Sequence, residues 1–262
     1  MTEERATRKF DELLELTRHL RSPAGCAWDR AQSIDTLRPH LVEEFHECLE
    51  ALDAGDDERF ADELGELLFL IVFMAAIAED DGRFSLASVI GGIDHKLRRR
   101  HPHVFGDLQA STPDEVRSHW ETTKLSEESH AHRSSILDGL PAAMPALLTA
   151  RRIQEKAAAV GFDWADIRSV FAKIDEEVDE LRGELDHPDS PGVAEEVGDL
   201  LFAVVNVARF LSIDPEAALR KTNLKFRRRF SLIEERFRGR DLREVGLEAM
   251  DVVWEEAKDL ED

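Results

Sequence analysis

The sequence predicts an all-α protein built as a tandem repeat of two helical-bundle modules, and three observations carry that reading. Apolar residues recur at helical spacing: Leu13, Leu16 and Leu20 share one face, as do Val170, Ile174, Val178 and Leu181. Strand alternation is scarce in a chain with no tyrosine and few β-branched runs. Finally, a sequence block recurs in register. Glu43-Glu44-Phe45-His46-Glu47 returns as Glu176-Glu177-Val178-Asp179-Glu180, and Glu63-Leu64-Gly65-Glu66-Leu67-Leu68-Phe69 returns as Glu196-Val197-Gly198-Asp199-Leu200-Leu201-Phe202, each 133 residues later. Two coincidences at one offset are improbable.

Taken in order, the periodicity and its Gly and Pro interruptions place helices near 5–21, 33–54, 57–80, 85–100, 112–125, 142–159, 166–186, 192–211, 214–238 and 241–260. Residues 126–141 are polar, break the periodicity and end on Pro141, which makes them the expected linker between modules 1–125 and 142–262. With small shifts the repeat continues to Lys96 and Arg100 against Lys225 and Arg229, Trp120 and Lys124 against Trp254 and Lys258, and Trp28 against Trp164.

Composition narrows the class. At 42% apolar and 34% charged the chain should fold, and 56 acidic against 34 basic residues give a net charge of -22. That charge argues against gripping nucleic acid or an anionic membrane by general attraction, and favours cations as partners. The two cysteines, Cys26 and Cys48, form no disulfide framework, the amino terminus lacks an apolar signal core, and the most apolar run, Leu67 to Ala78, falls short of the roughly 20 residues that span a bilayer. A soluble, cytoplasmic protein is expected.

The acidic repeats carry the chemistry. Glu177 and Glu180 are three residues apart on one helix, and Glu196 and Asp199 on the next, so each pair occupies one helical face. If the two helices pack together, four carboxylates converge and their repulsion demands a bound cation. Carboxylate oxygens without thiolate or imidazole suit Mg²⁺, or Mn²⁺, rather than zinc or copper. A di-iron bundle needs two Glu-x-x-His motifs, and only Glu43-x-x-His46 has that form. A lone Glu-x-x-Glu is usually a solvated face. Asp199, however, sits among Gly198, Leu200, Leu201 and Phe202, and reads as a carboxylate held inside an apolar stretch.

Basic and aromatic residues follow each acidic set. Lys225 and Arg229 share a helical face suited to phosphate oxygens, although pairing with acidic neighbours explains such a cluster equally well. Trp254 and Lys258, again four apart, can offer an indole to a base, though such a tryptophan is more often a packing anchor. Asn206, among Val204, Val205 and Val207, needs partners for its amide and can contact ribose, base or backbone. No phosphate loop, dinucleotide fingerprint or nucleophile elbow occurs, and the ten histidines are scattered.

The second half resembles the MazG family of all-α NTP pyrophosphohydrolases in Glu176-Glu177-x-x-Glu180 followed by Glu196-x-x-Asp199. Further family-like strings are Gly161-Phe162-Asp163-Trp164, Lys225-Phe226-x-x-Arg229-Phe230, Gly25-Cys26-Ala27-Trp28-Asp29 and Arg99-Arg100-His101-Pro102-His103-Val104-Phe105. The resemblance implies a dimerising helical bundle that hydrolyses nucleoside triphosphate to monophosphate and pyrophosphate. It implies Mg²⁺ on Glu177, Glu180, Glu196 and Asp199, and nucleotide contacts from Lys173, Lys225, Arg229, Trp254, Lys258 and the segment Gly192, Val193, Ala194, Glu195. Glu176 or Glu177 is the expected proton acceptor. In the first half Glu43, Glu44, Glu47, Glu63, Lys96, Arg100, Trp120 and Lys124 keep the pattern, but Glu66 replaces the family's Asp and Phe73 stands where Asn206 stands in the second half. The second module is therefore expected to be the main active site and the first a weaker one. A narrower dUTP or phosphoribosyl-ATP pyrophosphohydrolase and an idle partner-binding scaffold remain open alternatives.

Overall fold

The computed structural model describes residues 2–112, 115–116, 119–120, 123, 135–185 and 190–259. Among them every regular element is a helix, and none is long and apolar enough to cross a membrane. The chain divides into two compact units, Met1–Trp120 and Glu121–Asp262. The expected boundary at residue 125, most of the expected linker, most of the expected 112–125 helix and Lys124 lie outside the described residues.

The first unit comprises α1 (Thr2–Arg21), α2 (Ala27–Ala31), α3 (Ile34–Ala54), α4 (Asp57–Asp80), α5 (Leu86–Arg100) and α6 (Pro102–Phe105). Its backbone is the α3–α4 hairpin. Ser33 starts α3 with a reciprocal capping box: its hydroxyl accepts the Thr36 N–H at 3.2 Å while the Thr36 hydroxyl accepts the Ser33 N–H at 2.9 Å. Gly55, at φ 68°, ends α3 in the left-handed conformation that a side chain would resist, and Asp56 at once caps α4. This two-residue turn folds the helices onto each other, burying Leu37 against Leu70, Phe73 and Ile77. Helices α1 and α5 both pack on α4. On α1 the inward position between Leu13 and Leu20 belongs to Thr17, not Leu16. Thr17 is buried with its hydroxyl donating to the Leu13 carbonyl at 2.9 Å, whereas Leu16 is half exposed.

The second unit comprises α7 (Ala146–Ala158), α8 (Ile167–Glu184), α9 (Pro191–Phe210), α10 (Pro215–Arg236), α11 (Leu242–Val245) and α12 (Leu247–Asp259). Here α8 and α9 form the corresponding hairpin, with Asp166 capping α8 and Ser190 capping α9. Helix α7 packs on α9 and α10, and α12 packs on α10. The expected 241–260 helix is broken at Gly246, whose φ of 81° interrupts the helical path. The short α2 and α6, too brief to show periodicity, are also absent from the expectation.

Candidate functional site

The repeated hairpin brings carboxylates from its two helices together in both units. In the second, one oxygen each of Glu177 on α8 and Glu196 and Asp199 on α9 lie within 4.8 Å of one another, and in the first Glu44, Glu47 and Glu63 do the same. Each is therefore a group of oxygen donors close enough to hold a metal ion. Glu180 faces solvent at the edge of the second group. The Glu196 carboxyl is held above the usual carboxylate range, first by burial and then by the charges of Glu180, Glu177 and Asp199. Glu44 is raised likewise, by burial and then by Glu66, Glu47 and Glu63. The fourth carboxylate of each set, Glu180 or Glu66, is thus within electrostatic reach of the other three.

The apolar enclosure that the sequence predicts for Asp199 is not present in the fold. Asp199 is exposed, and so are its neighbours Val197, Leu201 and Phe202, so no apolar surroundings enclose it. Apolar letters beside a residue on a helix lie on other faces of it. The buried carboxylate is Glu177, only 4% exposed, on the inward line of α8 that also carries Val170, Ile174 and Leu181.

The two groups differ in their cations. In the second unit Lys173 Nζ lies 2.8 Å from Glu176 Oε1 and 2.7 Å from Glu177 Oε1, and these bonds hold the ammonium well above the usual lysine range. Glu196 Oε2 is buried and accepts no hydrogen bond from any described residue. In the first unit the position of Lys173 is His40, with Nδ1 3.4 Å from Glu43 Oε2. There Glu63, the counterpart of Glu196, is paired to Arg59 Nε at 3.3 Å, while the same guanidinium reaches Glu50 at 2.7 Å. The repeat puts Gly192 at the position of Arg59. A Cβ on Gly192 would lie 2.6 Å from Glu184 Oε2, so the carboxylate at the end of α8 lies against the start of α9 at Gly192. In the first turn of α9 Gly192 and Val193 are half-buried, and Ala194 and Glu195 are exposed.

Among the described residues no ion pair joins Lys225 or Lys258 to the carboxylates. Arg229 lies over the Trp254 ring at 5.6 Å, and Phe226 approaches that ring at 5.0 Å. The indole is thus flanked by protein groups beside an apolar pocket of about 220 Å³ that includes Phe230 and Met250. Arg100 lies over Trp120 at 5.3 Å in the same way, so the basic-aromatic register also repeats. Lys225 and Lys96 are exposed, and Lys258 pairs with Glu255.

A third cluster was not anticipated. Asn206, 8% exposed, accepts at Oδ1 from Arg209 Nε at 2.8 Å, and the Arg209 fork grips both oxygens of Asp163. Burial pushes the Asp163 carboxyl up, but the Arg209 bonds and charge and the Trp164 N–H outweigh it and leave the group below the usual aspartate range. The signal was present in the i, i+3 spacing of Asn206 and Arg209, but Asp163 is a long-range partner that no local pattern reveals. In the first unit Phe73 replaces Asn206, and the arginine over it, at 5.4 Å, is Arg21 of α1, bound to Asp80 at 2.7 Å.

Comparison with known proteins agrees with this architecture. The MazG nucleotide pyrophosphohydrolase domain matches residues 32–105 and 166–231, one match on each hairpin. The nucleoside triphosphate pyrophosphohydrolase/pyrophosphatase MazG of Thermotoga maritima is 45% identical over 251 residues, 95% of either chain. A nucleoside triphosphate pyrophosphohydrolase of Escherichia coli K12 is 42% identical over 255 residues, 95% of this chain and 97% of the relative. One from Mycobacterium tuberculosis is 32% identical over 196 residues, 72% of this chain and 59% of the relative. With two such domains, each built on a carboxylate-bearing helical hairpin, the chain belongs to the MazG nucleotide pyrophosphohydrolase family.

Proposed function

We propose that the second unit hydrolyses nucleoside triphosphates, with broad base tolerance, to nucleoside monophosphate and pyrophosphate, using Mg²⁺ or Mn²⁺ held by Glu177, Glu180, Glu196 and Asp199. The observation that carries this reading is the buried Glu196 Oε2, without a donor among the described residues, beside the Glu177 and Asp199 oxygens: a lone pair taken from water and left so fits a cation. An all-oxygen donor set suits a hard divalent ion. When bound, that ion supplies charge that polarises the α-phosphoryl group and neutralises departing pyrophosphate. Lys173 fixes the Glu176 and Glu177 carboxylates, either of which accepts a proton from the attacking water. The first turn of α9, with Lys225 and Arg229, contacts phosphate oxygens, and Trp254 and Lys258 lie toward the nucleoside.

The first unit acts as a weaker or regulatory copy, since Arg59 already neutralises Glu63 there. A homodimer is supported by apolar side chains left exposed on the second hairpin, among them Phe171, Val197, Leu201 and Val204. The net charge of -22 speaks against nucleic acid as a partner. The test is to incubate the protein with mixed nucleotides and Mg²⁺ and separate the products. Monophosphate with pyrophosphate is expected, and diphosphate with orthophosphate would overturn the reading.

A further inference from the structure

We infer that the Asp163–Arg209 pair locks the amide of Asn206 so that it offers a hydrogen-bond donor to the nucleobase, ranking bases that present a carbonyl there (uracil, thymine, guanine) above those that present an amino group. This inference rests on the proposed nucleotide chemistry of the second unit and refines its base tolerance.

The orientation follows from donor chemistry. Arginine can only donate, so the Asn206 atom 2.8 Å from Arg209 Nε must be the carbonyl oxygen, and the amide nitrogen must point the other way. Arg209 cannot swing aside freely, because its terminal nitrogens hold both oxygens of Asp163 and its side chain is only 12% exposed. No described residue accepts from Asn206 Nδ2, in a residue that is 8% exposed. That nitrogen is not one of the buried side-chain atoms left without a partner, so it reaches solvent, where a ligand acceptor can take the place of water.

Its position relative to the carboxylates comes from the repeat. In the first unit Phe73 lines a cavity of about 210 Å³ together with His40, Glu44, Glu66 and Phe69. Those positions are occupied in the second unit by Asn206, Lys173, Glu177, Asp199 and Phe202, each 133 residues later. Asp199, Ala203 and Asn206 also share one face of α9, which sets the amide two turns, about 10 Å, beyond Asp199. Phosphates held near the carboxylates put the base, rather than another phosphate, at that distance. Uracil and cytosine share O2 and differ at position 4, carbonyl against amino, with N3 changing from donor to acceptor beside it, so the pair reports on a donor aimed at position 4.

The experiment measures kcat and KM for UTP, CTP and dUTP with Mg²⁺ on the full chain, as wild type, Asn206→Asp and Arg209→Lys, with folding followed by circular dichroism. Wild type should favour UTP over CTP by about tenfold in kcat/KM, the effect of one hydrogen bond satisfied against one opposed. Asn206→Asp keeps an oxygen for Arg209 but turns the free donor into an acceptor. The ratio should fall below one, through KM more than kcat. Arg209→Lys keeps a cation for Asp163 but loses the planar fork, so the amide can turn over and the ratio should approach one. If Asn206→Asp fails to fold, Arg209→Lys decides alone. A purely structural role would lower the melting temperature and slow both nucleotides equally, which overturns the inference. So does an unmoved UTP to CTP ratio accompanied by a changed UTP to dUTP ratio, which would put the amide on the ribose. Pyrophosphate release with unmoved ratios defeats this inference only, whereas no release from any nucleotide defeats the catalytic reading beneath it.

Discussion

Lys173→Met isolates the charge balance of the second carboxylate group. The methionine keeps most of the stem's packing and removes the ammonium that lies 2.8 Å from Glu176 and 2.7 Å from Glu177. At an effective dielectric near 20, a pair at that separation attracts by about 6 kcal/mol before desolvation and screening. The Glu177 side chain is 5% exposed but that of Lys173 is 32% exposed, so the net loss falls below the 3–5 kcal/mol typical of fully buried pairs. About 2 kcal/mol is reasonable after allowing for solvent on the lysine side. For a unit of this size that lowers Tm by about 4–8 °C. The assay is thermal denaturation by circular dichroism in EDTA and again in Mn²⁺. In EDTA nothing replaces the lost ammonium and the full shift should appear, whereas in Mn²⁺ a divalent ion supplies charge at the same carboxylates and the shift should shrink. A Tm within about 1 °C of wild type in EDTA, or an equal fall in both buffers, would refute the claim that Lys173 and a metal ion share one electrostatic task.

Three further outcomes are expected. Glu177→Gln with Glu180→Gln should lower turnover on the order of 100-fold or more while Glu44→Gln with Glu47→Gln stays within a few-fold, and the reverse result would assign the active site to the wrong half. Light scattering at assay concentration should give a dimer mass, and a monomer would leave the exposed apolar faces of the hairpin unexplained. Asp163→Asn should cost about 1 kcal/mol at pH 7. Because the Asp163 carboxyl is depressed in the folded state, its contribution is present above the ordinary aspartate value of about 4 and is lost as pH falls through the folded value. The gap to wild type should therefore close in acid, and denaturant titrations showing a constant gap from pH 7 to pH 2 would sink the assignment.

The long helices were legible because burial imposes a period on them. Helix α4 begins and ends where the sequence places it, at Asp57 and Asp80, and the hairpin turn at Gly55 and Asp56 is a local signal. What escaped had no period or depended on remote atoms. Leu16 against Thr17 is one such case: hydropathy favours leucine inside, but the threonine satisfies its hydroxyl within its own helix, and that makes its burial tolerable. Asp199 is another, since apolar neighbours in the chain are not neighbours in space.

The site itself was legible as residue types and only partly as a balance of charges. The repeat drew attention to Glu66 and Phe73 as the substitutions that separate the halves, yet the more telling difference lies at Arg59. An arginine four residues before a glutamate reads as an ordinary surface pair, and nothing in the sequence sets Arg59 with Glu63 apart from one. Aligned on the repeat, it stands where the second half has Gly192, a residue whose neighbour Glu184 leaves no room for a side chain without moving. One copy thus carries a guanidinium on the glutamate whose counterpart, Glu196, has a buried oxygen with no donor among the described residues. A carboxylate already neutralised within the chain gains less from an external cation than one left unpaired. The asymmetry between the halves therefore rests on which cation each hairpin supplies from its own sequence, as much as on the length of one acidic side chain.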